Sequence, residues 1–135
     1  MLPSGLPENI ADDEPLARFL TSDSQFNRAM PKAPAFMPGP LDAKTSVFRQ
    51  GADSLPALWE LGDLEIGPER RVRAAAIMTA AHVRRAMLDV QAHEPPPKHA
   101  NIVGWPSAAG DPDAIRARRK ELALLLAQAA TLVRR

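Results

Sequence analysis

The spacing of apolar residues changes several times along this chain, which predicts both strands and helices. A β-branched and aromatic run over residues 45–49 predicts a short strand that ends at Gly51. Ser54 follows as a helix-capping residue, and the helix it begins is expected to stop at Gly62. The apolar stripe of that helix consists of Leu55, Leu58, Trp59 and Leu61.

Residues 70–93 fit two patterns. As one helix, they carry an apolar stripe at spacings of three and four, a pattern that their alanine content supports. As strand–helix–strand, they alternate over 72–78, Thr79 caps a helix over 80–87, and alternation resumes over 88–92. The capping position of Thr79 and the two clean alternations favour strand–helix–strand.

The C-terminal third predicts one strand and one long helix. Residues 99–105 form an apolar run closed by a proline, which is typical of a buried strand. Asp111 can cap a helix whose first position is Pro112, and no helix-breaking residue follows. We expect this helix to cover residues 111–133, with an apolar face formed by Leu122, Leu126, Ala129 and Val133.

Proline sets the first 40 residues apart, because seven of the chain's 14 prolines lie there. Proline fixes φ and removes a backbone donor, so we expect an arm with one short helix over residues 12–20. The segment 31–40 is expected to wrap over the protein's own core through Phe36 and Met37; docking on a partner is the alternative. The prediction is an α+β protein with a small mixed sheet: an arm over 1–40 and a compact domain over 41–135.

Length and composition indicate a soluble, cytoplasmic, single-domain protein. A chain of 135 residues with 45% hydrophobic residues can bury a core without cross-links. It contains no cysteine, so thiolate metal sites, thiol nucleophiles and disulfides are excluded. We expect no secretory signal at the N-terminus and no membrane span, because no apolar run approaches about 20 residues.

Charge is divided between the two halves of the chain. Residues 1–69 carry 5 Lys and Arg against 11 Asp and Glu, whereas residues 70–135 carry 12 against 5. The basic half either pairs with the acidic half or binds an acidic partner, nucleic acid included. The candidate binding residues are Arg70, Arg71, Arg73, Arg84, Arg85, Arg116, Arg118, Arg119 and Lys120.

Catalytic and metal motifs are weak. Asp89 and His93 would share a helical face, with His82 and His99 nearby in sequence, but the spacing matches no zinc signature. We therefore predict no metal, no cofactor and no catalytic residue. His99 is expected to bind backbone at a strand end, with a general base as the alternative.

The run from Pro95 to Pro106 (PPPKHANIVGWP), followed by an Ala/Leu-rich helix, resembles small bacterial proteins of high-GC genomes that have no assigned activity. The strand over 45–49 and the Leu58–Gly62 helix end are also similar. The resemblance implies a bacterial cytoplasmic setting and favours strand–helix–strand for residues 70–93. It implies no functional residue.

The predicted function is a non-enzymatic interaction subunit: an adaptor, an inhibitor or a small component of a larger complex. Its expected partner is another protein, and the candidate contacts are Phe36, Met37, His99 and Trp105. Two alternatives stay open. One is a nucleic-acid-contacting accessory protein that uses the basic residues, and the other is a small enzyme with a site near His99.

Overall fold

One six-stranded sheet with helices on both faces organises the chain, in a computed structural model that describes residues 1–49, 54–107 and 110–135. The strands are β1 (Pro15–Leu20), β2 (Thr45–Arg49), β3 (Ala74–Thr79), β4 (Asp89–Ala92), β5 (His99–Val103) and β6 (Thr131–Arg134). The helices are α1 (Leu55–Glu65), α2 (Ala80–Arg85) and α3 (Pro112–Ala129), with a single 3-10 turn at Ala33–Ala35.

The strand order across the sheet is β4-β5-β2-β1-β3-β6. Every pairing between these strands is antiparallel. The predicted α+β class is therefore confirmed, although the sheet is antiparallel where a mixed sheet was predicted. Because β5 and β6 lie near opposite edges, α3 crosses the sheet between them.

The short helix predicted over residues 12–20 is wrong, because this segment forms the central strand β1. Leu16 and Leu20 belong to the core on one face of the sheet, whereas Ala17 and Phe19 belong to the core on the other. A strand buried on both faces has almost no polar positions, so its apolar residues can mimic a helical stripe.

The strand–helix–strand prediction for residues 70–93 is confirmed by β3, α2 and β4. Thr79 caps α2 as expected: its hydroxyl accepts from the His82 N–H at 3.4 Å. The imidazole of His82 accepts from the Thr79 N–H at 3.3 Å, which completes a reciprocal capping box. The predicted strand at residues 99–105 is also present, as β5.

Helix α1 begins where predicted and ends later than predicted. The Ser54 hydroxyl accepts from the Ala57 N–H, but the helix runs past Gly62 to Glu65. Gly62 is needed for close packing, because a Cβ there would lie 2.8 Å from the buried Phe19 ring. The strand end predicted at Gly51 lies outside the described residues.

The long C-terminal helix is capped by Asp111 as predicted, but it stops at Ala129, and the expected helix through residue 133 is wrong. Ala130 has extended backbone angles, and Leu132 and Val133 then lie in β6, paired with β3. Pairing with β3 satisfies backbone groups that an extra helical turn would have satisfied within the helix, so tertiary contact decides the outcome.

Two cores lie on the two faces of the sheet. The larger lies under α2, α3 and the 3-10 turn, and the smaller lies under α1. Phe36 is fully buried in the larger core, so the segment over 31–40 packs on the protein's own sheet.

A buried ion pair joins β2 to the residue before β1. The side chain of Arg49 is fully buried, and its Nε and Nη2 donate to the two Glu14 carboxylate oxygens at 2.5 and 2.7 Å. Its Nη1 donates to the Pro7 carbonyl at 2.6 Å. The guanidinium group thus fixes the N-terminal segment, β1 and β2 together.

Candidate functional site

Four arginines converge on one cleft at the β6 edge of the sheet. The cleft has a volume of about 670 Å³, and Phe26, Asp63 and Val72 complete its lining. Two of the arginines come from the segment before β3 and two from the end of β6. These positions are close because β3 and β6 pair antiparallel. They are Arg71, Arg73, Arg134 and Arg135, and we call the site the arginine cleft.

Two carboxylates partly neutralise the arginine cleft. Asp63 accepts a bidentate contact from Arg135, at 2.6 Å to each oxygen. These hydrogen bonds lower the pKa of Asp63 and raise that of Arg135. Asp23 pairs with Arg73. Among the described residues Arg71 and Arg134 have no carboxylate partner, so the side chains of the cleft carry two unpaired positive charges.

The aromatic ring of Phe26 holds two of the guanidinium groups. The guanidinium carbons of Arg73 and Arg134 lie 5.6 and 5.8 Å from its centroid. Phe26 itself is buried in the larger core. Cation–π contacts of this kind restrict the arginine side chains, and ordered donors lose less entropy when they bind an anion.

The remaining predicted basic residues lie elsewhere. Arg84 is at the opposite edge of the sheet, where it pairs with Asp12 at 2.5 Å and Asp89 at 3.1 Å, contacts that raise its pKa. Arg85 is exposed on α2. Arg70 lines a separate groove that it shares with Arg18.

The basic cluster on α3 forms a third group. Arg118 pairs within the helix with Glu121 at 2.9 Å, and the Arg119 Nε donates to the Pro106 carbonyl at 2.6 Å. Arg116 and Lys120 line a shallow groove of about 300 Å³ against Met37. The nine predicted basic residues therefore form no single surface, and of them only Arg71 and Arg73 lie in the arginine cleft.

His99 lies in a hydrogen-bonded pair with a serine. Its Nε2 is 2.6 Å from the Ser46 hydroxyl, and its Nδ1 is 2.9 Å from the His93 carbonyl. A carbonyl only accepts, so Nδ1 carries the proton and Nε2 accepts from Ser46. The predicted backbone contact at the strand end is confirmed, whereas the Ser46 partner was missed because it depends on the β2–β5 register.

Burial lowers the pKa of His99, which keeps its imidazole neutral near pH 7. The rings of Phe48 and His93 pack edge-on against it, with centroids 5.4 and 5.2 Å away. In the part of the chain that the structure describes, no three His, Asp or Glu side chains are grouped to hold a metal ion.

The other predicted contact residues belong to the protein's own core. Phe36 is fully buried, and Trp105 is 4% exposed, with its indole N–H donating to the Ile102 carbonyl. Met37 is half-buried in the groove that it shares with Arg116 and Lys120. Neither Phe36 nor Trp105 presents a surface to a partner.

No family model, no curated protein and no solved structure matches the chain. No helix within the described residues has the length and apolar character to cross a membrane.

Proposed function

We propose that this chain is a non-enzymatic interaction subunit that holds an acidic segment of a partner protein in the arginine cleft. A single observation carries the proposal: four guanidinium groups from distant parts of the sequence line one cleft, and Asp63 and Asp23 pair with only two of them. Two positive charges are left without a partner among the described residues. A carboxylate-rich segment would supply the missing anions.

The chemistry of arginine suits such a partner. A guanidinium group presents its donors in a planar fork that matches a carboxylate in a bidentate contact, as Arg135 already does with Asp63. Arg134 is held over Phe26 and lies beside this pair. A glutamate or aspartate entering the cleft would find Arg71 and Arg134 without a competing internal acid.

A protein partner is favoured over nucleic acid by the distribution of the other cations. Arg84 and the α3 cluster lie away from the cleft and are partly paired, so they do not extend it into a track for a phosphate backbone. The cleft's aromatic residue, Phe26, is buried and has two guanidinium groups over its ring, so it is not available for base stacking.

The test is fluorescence anisotropy with three probes: an acidic peptide of alternating glutamate and valine, its lysine counterpart, and a single-stranded oligonucleotide. The variant Arg71→Gln/Arg134→Gln should weaken acidic-peptide binding about tenfold, because each lost ion pair contributes up to about 1 kcal/mol. Arg85→Gln/Lys120→Gln is the matched control, since it removes the same charge from α2 and α3.

Acidic-peptide binding that the control retains would support the proposal. Equal weakening in both variants would reduce the effect to net charge and contradict it. Tighter binding of the oligonucleotide, with a steep salt dependence, would assign the cleft to nucleic acid instead.

A second candidate function is acyl transfer at Ser46. Ser46 would be the nucleophile, and His99, 2.6 Å away, would be its general base. The His93 carbonyl, which accepts from His99 Nδ1, would position that base. A fluorophosphonate probe distinguishes the two functions. A single adduct on Ser46 that is lost in His99→Gln would favour catalysis, whereas the interaction subunit is expected to stay unlabelled.

A further inference from the structure

The two edges of the sheet differ in whether their outward-facing backbone N–H and C=O groups have hydrogen-bond partners. At β4, the His93 N–H donates to the His99 carbonyl, so antiparallel alternation directs the backbone of Val90 and Ala92 outward. The outward N–H of Val90 is already bound, at 2.8 Å, by the side chain of Asp89.

The N-terminal segment also lies along the β4 edge. Residues 8–10 line a groove beside this strand, and Arg84 donates across it to the Ile10 carbonyl at 2.8 Å. The β4 edge is thus partly capped by the protein's own residues, which is a common protection of an exposed edge strand.

At the β6 edge, no side chain among the described residues binds the outward backbone groups as Asp89 does at β4. Among the described residues β6 is the last strand, and no strand lies beyond it. The Arg135 N–H donates to the Arg73 carbonyl, so residues 131 and 133 also bond toward β3. The backbone N–H and C=O groups of Leu132 and Arg134 therefore face outward, where a further strand would bind.

The positive charge beside β6 indicates what kind of strand could pair with this edge. The free edge of β6 ends at Arg134, in the arginine cleft with its two unbalanced positive charges. A second copy of this chain paired edge to edge through the four residues of β6 would place a second arginine cleft near the first and would supply no unpaired carboxylate. An acidic extended segment would instead place carboxylates beside the arginines.

We propose that the partner binds by adding an acidic β-strand to β6, with its backbone on Leu132 and Arg134 and its carboxylates in the arginine cleft. This inference rests on the proposed function, because it specifies how the acidic partner binds. Main-chain hydrogen bonds would supply affinity and the arginine cleft would supply selectivity, as in other complexes formed by strand addition.

The test compares three acidic peptides of about eight residues, which is within the usual length range of a strand. The first alternates glutamate and valine. The second has the same sequence with N-methyl groups on every other residue, along one edge of the strand, so it keeps its charge but loses the backbone N–H donors of that edge. A third peptide, methylated on the opposite edge, controls for altered backbone conformation. Amide-resolved hydrogen exchange on the full chain follows Leu132, Arg134 and, as the internal control, Val133.

The expected result is protection of the Leu132 and Arg134 amides on peptide binding, with Val133 already protected by β3. Methylation of the pairing edge should weaken binding at least about tenfold, which corresponds to the loss of two or three backbone hydrogen bonds. Methylation of the opposite edge should have little effect.

Other outcomes separate the two proposals. Equal binding of all three peptides, still weakened by Arg71→Gln/Arg134→Gln, would overturn strand addition and leave the acidic-partner function intact. No binding of any acidic peptide would overturn both. Protection of the same two amides without peptide, together with a dimer in sedimentation equilibrium, would assign the edge to a second copy and overturn strand addition.

Discussion

Removing the carboxylate of Glu14 should cost more stability than any surface substitution, because it leaves Arg49 charged and unpaired inside the protein. The guanidinium group is fully buried and makes three hydrogen bonds, two of which go to Glu14. Breaking a buried ion pair from one side typically costs about 3–5 kcal/mol. For a domain of this size that corresponds to a Tm lower by roughly 10–20 °C.

The assay is thermal unfolding of Glu14→Ala followed by circular dichroism, with Asp13→Ala as the matched control. Asp13 is the exposed neighbouring acid, so its loss should change the free energy of unfolding by less than about 0.5 kcal/mol. The double variant Glu14→Leu/Arg49→Met removes both charges, and it should recover most of the lost stability because no unpaired ion remains.

Two results would contradict the predicted stability cost of leaving Arg49 unpaired. If Glu14→Ala melts within about 4 °C of the wild type, the pair contributes no more than one ordinary hydrogen bond. If the double variant is as unstable as the single one, the loss comes from packing and the unpaired guanidinium group is not its cause.

Four further predictions concern the core and the β2–β5 pair. Gly62→Ala should destabilise the protein by about 1–3 kcal/mol in urea unfolding, because the new Cβ meets the buried Phe19 ring; a gain in stability would contradict the close approach. Phe36→Ala should cost about 3–5 kcal/mol in the same assay, and an unchanged midpoint would contradict its place in the core. The lowered pKa of His99 means that the unfolded chain takes up its proton first, so Tm should be constant above about pH 7 and fall as pH drops below about 6.5. His99→Gln should flatten this fall between about pH 5 and 7 in differential scanning fluorimetry, and an identical slope would rule His99 out as its source. Ser46→Ala should lower stability by about 1 kcal/mol, and a loss near zero would show that the contact with His99 contributes nothing.

Short-range sequence signals correctly predicted the helix starts, because the capping hydrogen bonds form between residues close in sequence. Thr79 and Asp111 each cap the helix that follows, and these capping interactions are formed by residues close in sequence. The predicted alternation is present from residue 74 onward, where Ala74, Ala76 and Met78 face the larger core and Ala75 faces the smaller one, whereas Val72, which precedes the strand, lies in the smaller core. Predictions of this kind need no knowledge of the tertiary structure.

The failures share a physical cause, which is pairing between distant segments. The apolar residues of β1 are buried on both sides of the sheet, so no alternation identifies them as a strand. Residues 131–134 continue the apolar pattern of α3, and only their pairing with β3 draws them out of the helix.

The second failure concealed the site. A helix predicted through residue 133 does not place Arg134 and Arg135 beside Arg71 and Arg73. The basic residues were therefore described as separate groups along the chain. The pairing of β6 with β3 brings the four together. Composition therefore left open whether the basic half pairs internally or binds a partner, and the position of the arginine cleft depended on a strand that the local pattern could not predict.

Charge reversal tests the central claim, acidic-partner binding in the arginine cleft, most directly. The variant Arg71→Glu/Arg134→Glu changes the two arginines that lack a carboxylate partner among the described residues, and isothermal titration then measures its affinity for the glutamate–valine peptide and for the lysine–valine peptide. The wild type should bind only the acidic peptide, and the variant should lose this binding and gain affinity for the lysine peptide. A variant that still binds the acidic peptide, or a wild type that binds both peptides equally, would contradict it.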